Sequence, residues 1–417
     1  MVKKIAALIF IYFCTAIAWL ILGGTIESRT RSSDAVLGQR VTSNWGSPQE
    51  QTPPTATYDY PVTRTETGRT ADGKPFSRTF TETQTAALPL TASKIDVALD
   101  LEHRQKGLLW YSTYKVGFGG VYAFSNDSGK DRRVDFCLFF PAEKAIYDDL
   151  QLEVDGTPLP YQTIKSGVSG STTIAAGRTA HLKVAYRSQG LGTWKYSFGK
   201  EVTSVRDFNL NLKTNFTAID FPDNTLSPSA KREIPGGWEL TWVYKNLVSG
   251  YQIAMVLPEK LQPGPLAGQI SFFAPVSLLF FFFVLLIITT IRKIDLHPMN
   301  YFFLAAAFFA FHLLLAYLVD HISIHWSFAI SSLVSMFLVI SYLRLVVGAR
   351  FAVLEAGGAQ LVYLVLFSYA FFFKGFTGLT VTIGAIATLF VVMQMTGRIR
   401  WSEAGSAEPN PQLGVLR

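Results

Sequence analysis

Cysteine is nearly absent: the 417 residues hold two, Cys14 and Cys137. Cys14 falls in the first apolar run and Cys137 in the polar middle of the chain, so they cannot pair and no disulfide framework supports the fold. A lone Cys137 reads as a small apolar core residue and not as a redox group. Charge is scarce too, at 16% of residues against 49% hydrophobic, too little for an ordinary soluble chain. Catalytic signatures are missing: there is no Gly-x-Ser-x-Gly elbow, no Gly-Lys-Ser/Thr phosphate loop, no His-Glu-x-x-His and no Cys-x-x-Cys. The usual grounds for proposing hydrolysis, nucleotide turnover, zinc chemistry or thiol redox chemistry are therefore gone.

Long apolar runs are present, at the N-terminus and from Ser271 onward. Residues 5–22 follow Lys3 and Lys4, have the length of a spanning helix, and lack a small-x-small cleavage site, so an uncleaved anchor is expected. Five more helices are expected at 271–291, 301–319, 326–347, 360–373 with an extension back toward Ala352, and 376–396. The joints are the HISIH turn after Asp320, the Gly348-Ala349-Arg350 corner and Lys374-Gly375.

Counting about six crossings from a cytoplasmic N-terminus puts Lys3, Lys4, Arg292, Lys293, Arg344, Arg350, Arg398, Arg400 and Arg417 inside, against Asp295, Glu355, Glu403 and Glu408. This alternation follows the positive-inside rule and absorbs most of the net charge of +7, so the basic excess is a topology signal and not a nucleic-acid footprint. It predicts an anchor at 1–24, a juxtamembrane helix and Pro-rich linker at 25–57, an extracytoplasmic β-rich domain at 58–270, a five-helix bundle at 271–396 and a cytoplasmic tail at 397–417. Both termini are cytoplasmic in this plan, residues 25–270 lie outside, and the bilayer is the first partner.

The first helix is expected to stop near Asn44. Beyond Tyr58 the pattern changes to strands, with a hairpin about Asp72-Gly73 and alternation at 94–101, 108–124, 133–140, 150–154, 181–186, 208–216, 238–244 and 251–257. Val154-Asp155-Gly156-Thr157 is a second tight-turn signal. Numerous strands without intervening helical patterns predict one or two mostly antiparallel, sandwich-like domains.

Several islands resemble the CreD family of bacterial inner-membrane proteins. The main one is residues 293–330, above all Leu296-His297-Pro298-Met299-Asn300-Tyr301. Trp45-Gly46-Ser47-Pro48-Gln49, the RQKGLLWY of residues 104–111, and SPSAKREI followed by GWELTW stand in matching order. The resemblance spans most of the chain, most weakly over residues 127–207. It implies an inner-membrane protein linked to envelope integrity and often to two-component regulation. It implies no enzymatic activity and supplies no catalytic residue or cofactor.

Individual side chains each carry a plain and a sharper reading. His297 before Pro298 reads as a corner whose ring bonds loose backbone groups, and otherwise as a functional imidazole. His312 lies mid-helix, where an ionisable group is costly; a hydrogen bond to Ser332 or Ser335 is expected, with a proton or ligand role as the alternative. Asp320, His321 and His325 read as a solvated turn, and otherwise as a metal or pH-sensitive site. Arg344 and Glu355 read as a salt bridge between helices, with Arg344 able to snorkel. Arg104, Lys106, Trp110, Tyr111 and Trp194 are candidates for a ligand or partner platform, against a plain role in a β core or at the membrane interface. Together these predict a non-enzymatic envelope protein whose tethered periplasmic domain binds an envelope component. The rival is a transporter or channel built on His312 and the Asp320/His321/His325 cluster, and a membrane-embedded hydrolase is a distant third.

Overall fold

Burial of every second side chain organises the middle of the chain. Ile95, Val97 and Leu99 are buried, as are Val116 and Phe118, Leu182, Val184 and Tyr186, and Phe208, Leu210 and Leu212, which is how strands line one face of a sheet. In the computed structural model, which describes residues 2–69, 75–106, 109–199, 203–373 and 375–397, these strands form one of two compact units, Ala35–Lys260. The other unit is Met1–Asp34 with Leu261–Arg417.

The β unit holds three sheets. The largest has the order β14 (Ala230–Ile234), β15 (Gly237–Ser249), β13 (Thr203–Thr214), β4 (Leu90–Lys106), β5 (Leu109–Ser125), β11 (Thr179–Leu191), β7 (Tyr147–Val154) and β8 (Thr157–Pro158). The second runs β3 (Pro75–Ala87), β2 (Thr55–Arg69), β6 (Arg132–Phe139), β10 (Gly167–Ile174), β9 (Gln162–Ile164). The third is β1 (Gln49–Gln51), β12 (Thr193–Tyr196), β16 (Ile253–Val256). Pairing is antiparallel as expected except for two parallel pairs, β4 with β13 and β1 with β12. A single cluster of buried residues joins all three sheets, including Val134 and Phe136, Trp194 and Tyr196, and Phe208 and Trp242.

The turn expected at Asp155-Gly156 is present: both residues have positive φ, and Val154 pairs with Thr157. β2 and β3 pair from Thr57 and Ala87 to Arg69 and Pro75, while the Asp72-Gly73 turn lies outside the described residues. Cys137 is a free, half-buried thiol pushed above its usual pKa by burial, in keeping with a packing role.

Six helices among the described residues are long and apolar enough to cross a membrane. They are α1 (Val2–Trp45), α2 (Pro263–Ile291), α3 (Pro298–Leu318), α4 (Ile324–Val346), α5 (Phe351–Phe372) and α6 (Thr377–Thr396). Ile5, Ile9, Phe10, Phe13, Ile17, Leu20 and Ile21 of α1 are exposed, as are Leu379, Ile383, Ile386, Leu389 and Phe390 of α6. So much contiguous apolar surface is unfavourable in water and costless against lipid tails. α5 is wound as π-helix over Phe351–Gly357 and Leu361–Leu366 and closes as a 3₁₀ turn at Ala370–Phe372. Ser277 of α2 donates to the Tyr363 carbonyl within the second of these π-helical stretches.

α1 ends at Trp45, one residue past the expected stop. Gly46 closes its last turn by donating to the Thr42 carbonyl at 3.1 Å. Gly46 has φ +139, and a Cβ there would run into the carbonyl oxygen of Gln189. Gly46→Ala is therefore expected to lower the stability of the β unit by about 3 kcal/mol, from positive-φ strain and backbone overlap together. Protease resistance of that unit in the full-length protein measures this; unchanged resistance would mean the corner relaxes freely.

Candidate functional site

The end of the β4–β5 hairpin gathers most of the residues singled out for a platform, and strand alternation decides what they can do. Arg104 pairs with Tyr111 and Lys106 with Leu109, so these share one face; His103 pairs with Ser112 and Gln105 with Trp110, on the other. The first face takes the last turns of α1: Leu37, Val41 and Trp45 pack with Leu109 and Tyr111, and the Arg104 guanidinium sits 3.4 Å from the centroid of the Trp45 ring. The second face holds the chain leaving the unit. His103 Nε2 and Ser112 Oγ meet the Pro258 carbonyl at 2.9 and 2.6 Å, and the Lys260 ammonium lies 4.0 Å from the centroid of the Trp110 ring.

The hairpin end is thus a clamp between the incoming and outgoing chain. Trp110 and Tyr111 project to opposite faces and cannot serve one ligand. Trp194 is not on the surface at all: it is 0% exposed in β12, inside the common core. The five residues do not form a single platform; of them Arg104 and Lys106 are exposed. Below the clamp, Glu102 accepts from Lys115 at 2.6 Å, and that bond, with help from Arg104, holds its carboxyl below the usual range.

The segment after the clamp, Gly46 to Gln51, is built into the core through buried amides. Gln49 Nε2 donates to Ser188 Oγ at 2.7 Å and to the Gln189 carbonyl at 2.9 Å, and Tyr186 Oη donates to Gln51 Oε1 at 2.5 Å. Sequence pattern marked Trp45 to Gln49 but gave no role to Gln49 or Gln51, because alternation in a three-residue strand is too short to read.

In the helical unit, ion pairs flank the apolar stretch of α1. Lys4 meets Asp295 at 3.0 Å, in the α2–α3 joint. Arg29 meets Asp320 at 2.8 Å, just beyond α3, and also donates to the Ala316 carbonyl at 3.0 Å. No charge lies on α1 between Lys4 and Glu27. At about 1.5 Å per residue the stretch from Lys4 to Arg29 spans close to the thickness of a bilayer core with its interfaces.

Asp320 therefore belongs to an ion pair. His321 is exposed in the turn, and His325 stands one residue inside α4 with its ring 5.4 Å from that of Phe372. No group of three metal-binding side chains occurs among the described residues. His297 caps α3 as the corner reading expects, its Nδ1 accepting from Met299 N at 3.2 Å with Pro298 at the first helical position.

Two expected pairings are replaced by others. His312 bonds neither Ser332 nor Ser335: its Nδ1 lies 2.9 Å from the Phe308 carbonyl of its own helix, and its ring packs edge-on against Trp19 of α1 at 5.3 Å. Ser332 is satisfied by its own helix at Phe328, and Ser335 donates across to Ala307 at 2.7 Å while accepting from Gln360 at 2.9 Å. Glu355 pairs with Arg292 at the end of α2, not with Arg344, which projects from the exposed side of α4 beside buried Leu343. Five buried polar atoms of the bundle have no hydrogen-bond partner among the described residues: Trp19 Nε1, His312 Nε2, Ser331 Oγ, Glu355 Oε2 and Gln360 Oε1.

The ion-pair exchange has a measurable consequence. Arg292→Ala is expected to cost about 1–2 kcal/mol, because Glu355 is left largely buried without its partner although Arg292 is half exposed. Arg344→Ala should stay within about 0.5 kcal/mol. Thermal midpoints in lipid nanodiscs compare the two, and the reverse order would restore the Arg344 pairing.

Residues 271–402 match the family model described as Inner membrane protein CreD, which covers the bundle from α2 to α6 and bears out the resemblance seen in the motifs there. That family match and the six apolar helices describe a multi-pass membrane protein. No curated protein matches the chain. Among solved structures, a provisionally described nutrient binding protein from Legionella pneumophila is 11% identical, covers 47% of this chain and 74% of its own, and has a TM-score of 0.32. An M1 zinc metallopeptidase from Deinococcus radiodurans is 10% identical over 41% of this chain and 42% of its own, with a TM-score of 0.24. Likeness this low carries no argument about fold or activity.

Proposed function

We propose that this chain is a CreD-type inner-membrane protein that acts without catalysis, contributing to envelope integrity or the stress response through a periplasmic domain that binds an envelope component. The observation that carries this reading is the clamp, in which one hairpin end grips both the chain entering the β unit and the chain leaving it. A module joined at both its ends to membrane-spanning helices has a raised effective concentration at the membrane surface. The basic joints at Arg292, Lys293, Arg344 and Arg350 favour a cytoplasmic assignment for that side. Residues 25–270 are then periplasmic, and both termini cytoplasmic.

A photo-reactive residue placed at Lys106 of the full-length protein in cells is expected to trap an envelope component. If it trapped nothing, and a chain lacking residues 58–257 restored envelope function, the reading would fall.

The buried polar atoms of His312, Ser331 and Gln360 that lack partners favour a second reading, a transporter or channel. Against it, the helices lack the paired repeats of transporter folds. His312→Leu separates the two: a transporter loses flux with its fold intact, whereas a scaffold changes only in stability.

A further inference from the structure

Sheets end in outer strands, and an outer strand with free N–H and C=O groups is a template for pairing unless it is short, bent, charged or covered. The three sheets have six outer strands among the described residues. Five are short: β14 has 5 residues, β8 has 2, β9 has 3, β1 has 3 and β16 has 4. β3 has 13. It forms a ribbon with β2, and β2 touches its other neighbour, β6, only over Thr55–Thr57. Past that point the ribbon is two strands wide, a form marginal in water unless a further strand joins it.

The two edges of the ribbon differ. The outer edge of β2 is interrupted by Pro61, which has no N–H to offer. β3 has no proline, lysine or bulge from Phe76 to Ala87. Its two faces also differ. One carries Ser77, Thr79, Thr81, Thr83 and Thr85 beside Thr63, Thr65 and Thr67 of β2. The other carries Phe76, Arg78, Phe80 and Glu82, with Phe76 38% and Phe80 41% exposed.

We propose that β3 pairs edge to edge and antiparallel with β3 of a second copy of this chain, centred on Phe80. The sequence is self-complementary in that register and in no neighbouring one. With Phe80 opposite its own copy, Arg78 faces Glu82 of the other strand on both sides of the axis, and Thr79 faces Thr81. Glu66, which already lies opposite Arg78 within the ribbon, extends each ionic row. Centring on Arg78 or Glu82 would set like charges face to face, and centring on Thr81 would set Phe80 against Glu82. Aromatic, threonine and opposite-charge cross-strand pairs are the contacts that stabilise antiparallel strands. The product is a four-stranded sheet whose outer edges are the two Pro61-bearing strands.

Disulfide scanning in native membranes tests this on the full chain, with Cys14→Ser and Cys137→Ser as background. Single cysteines replace Phe76, Arg78, Phe80, Glu82 and Gln84 in turn. Dimer yield on mild oxidation is expected to peak at residue 80, at least about tenfold above residues 76 and 84, since cysteines with Cα atoms more than about 7 Å apart do not bridge. Two differently tagged copies, one Thr79→Cys and the other Thr81→Cys, should bridge to each other while Phe80 is kept. Adding Glu82→Arg should lower that bridging severalfold, and Glu82→Gln should lower it less. A flat profile, a peak elsewhere, or an adduct with another protein in place of the dimer overturns the proposal.

Discussion

Between pH 10 and pH 11 the β unit is expected to lose about 4 kcal/mol of stability, a large share of the roughly 5–15 kcal/mol that holds a domain together. The cause is a set of phenols in its core. Tyr114, Tyr122, Tyr186 and Tyr196 are at most 2% exposed, and burial pushes each phenol well above its usual pKa of 10. Tyr147, less buried, is raised to about 12, again by burial. Tyr114 and Tyr186 also donate their hydroxyl protons, to the Thr193 carbonyl and to Gln51, so ionisation would break those bonds.

A group whose folded pKa is raised stabilises fully below its unfolded pKa and loses that contribution as pH climbs toward the folded value. Each of the four fully buried phenols therefore withdraws about 1 kcal/mol over that pH step as the unfolded chain ionises. Ultraviolet titration of the full-length protein, read beside protease resistance, measures it: the four buried phenols ionise only when the unit opens. If all 17 tyrosines titrated together with the unit still resistant, the core would not be dry.

Trp194→Ala is expected to cost about 3–5 kcal/mol, the loss typical of emptying a large aromatic site in a packed core. Trp194 is fully buried and its strand joins β1 to β16, so its removal opens a cavity beneath the whole third sheet. Lys106→Ala, from the same group of platform candidates, should stay within about 0.5 kcal/mol. Pulse proteolysis of both variants gives the comparison. Were Trp194→Ala as stable as the parent chain and deficient only in partner trapping, the tryptophan would have to be a ligand contact after all.

These two residues mark how far the sequence can be read. The β class, the helix stop beside Trp45, the turn at Asp155-Gly156 and the His297-Pro298 corner are local: a period of two, a φ preference or a cap announces each one. Which aromatic side chains face inward depends on pairing with strands far along the chain. Trp194 lies between β1 and β16, partners some 145 and 60 residues away, and no window around it says so. The same limit explains the ion pairs. Lys4 with Asp295 and Arg29 with Asp320 are each 291 residues apart. Sequence proximity pairs Glu355 with Arg344, while the fold brings it Arg292. For His312 the next helix offers serines, yet the indole that meets it comes from α1, at a distance that periodicity cannot reach.

Because one hairpin end receives both the arriving helix and the departing chain, the two covalent openings of the β unit are neighbours. A segment with adjacent openings can be cut out and the gap closed by a short peptide, or exchanged for another of similar footprint, without asking the membrane helices to find new partners. The bundle and the β unit are in that sense interchangeable parts, and a lineage could refashion one while keeping the other.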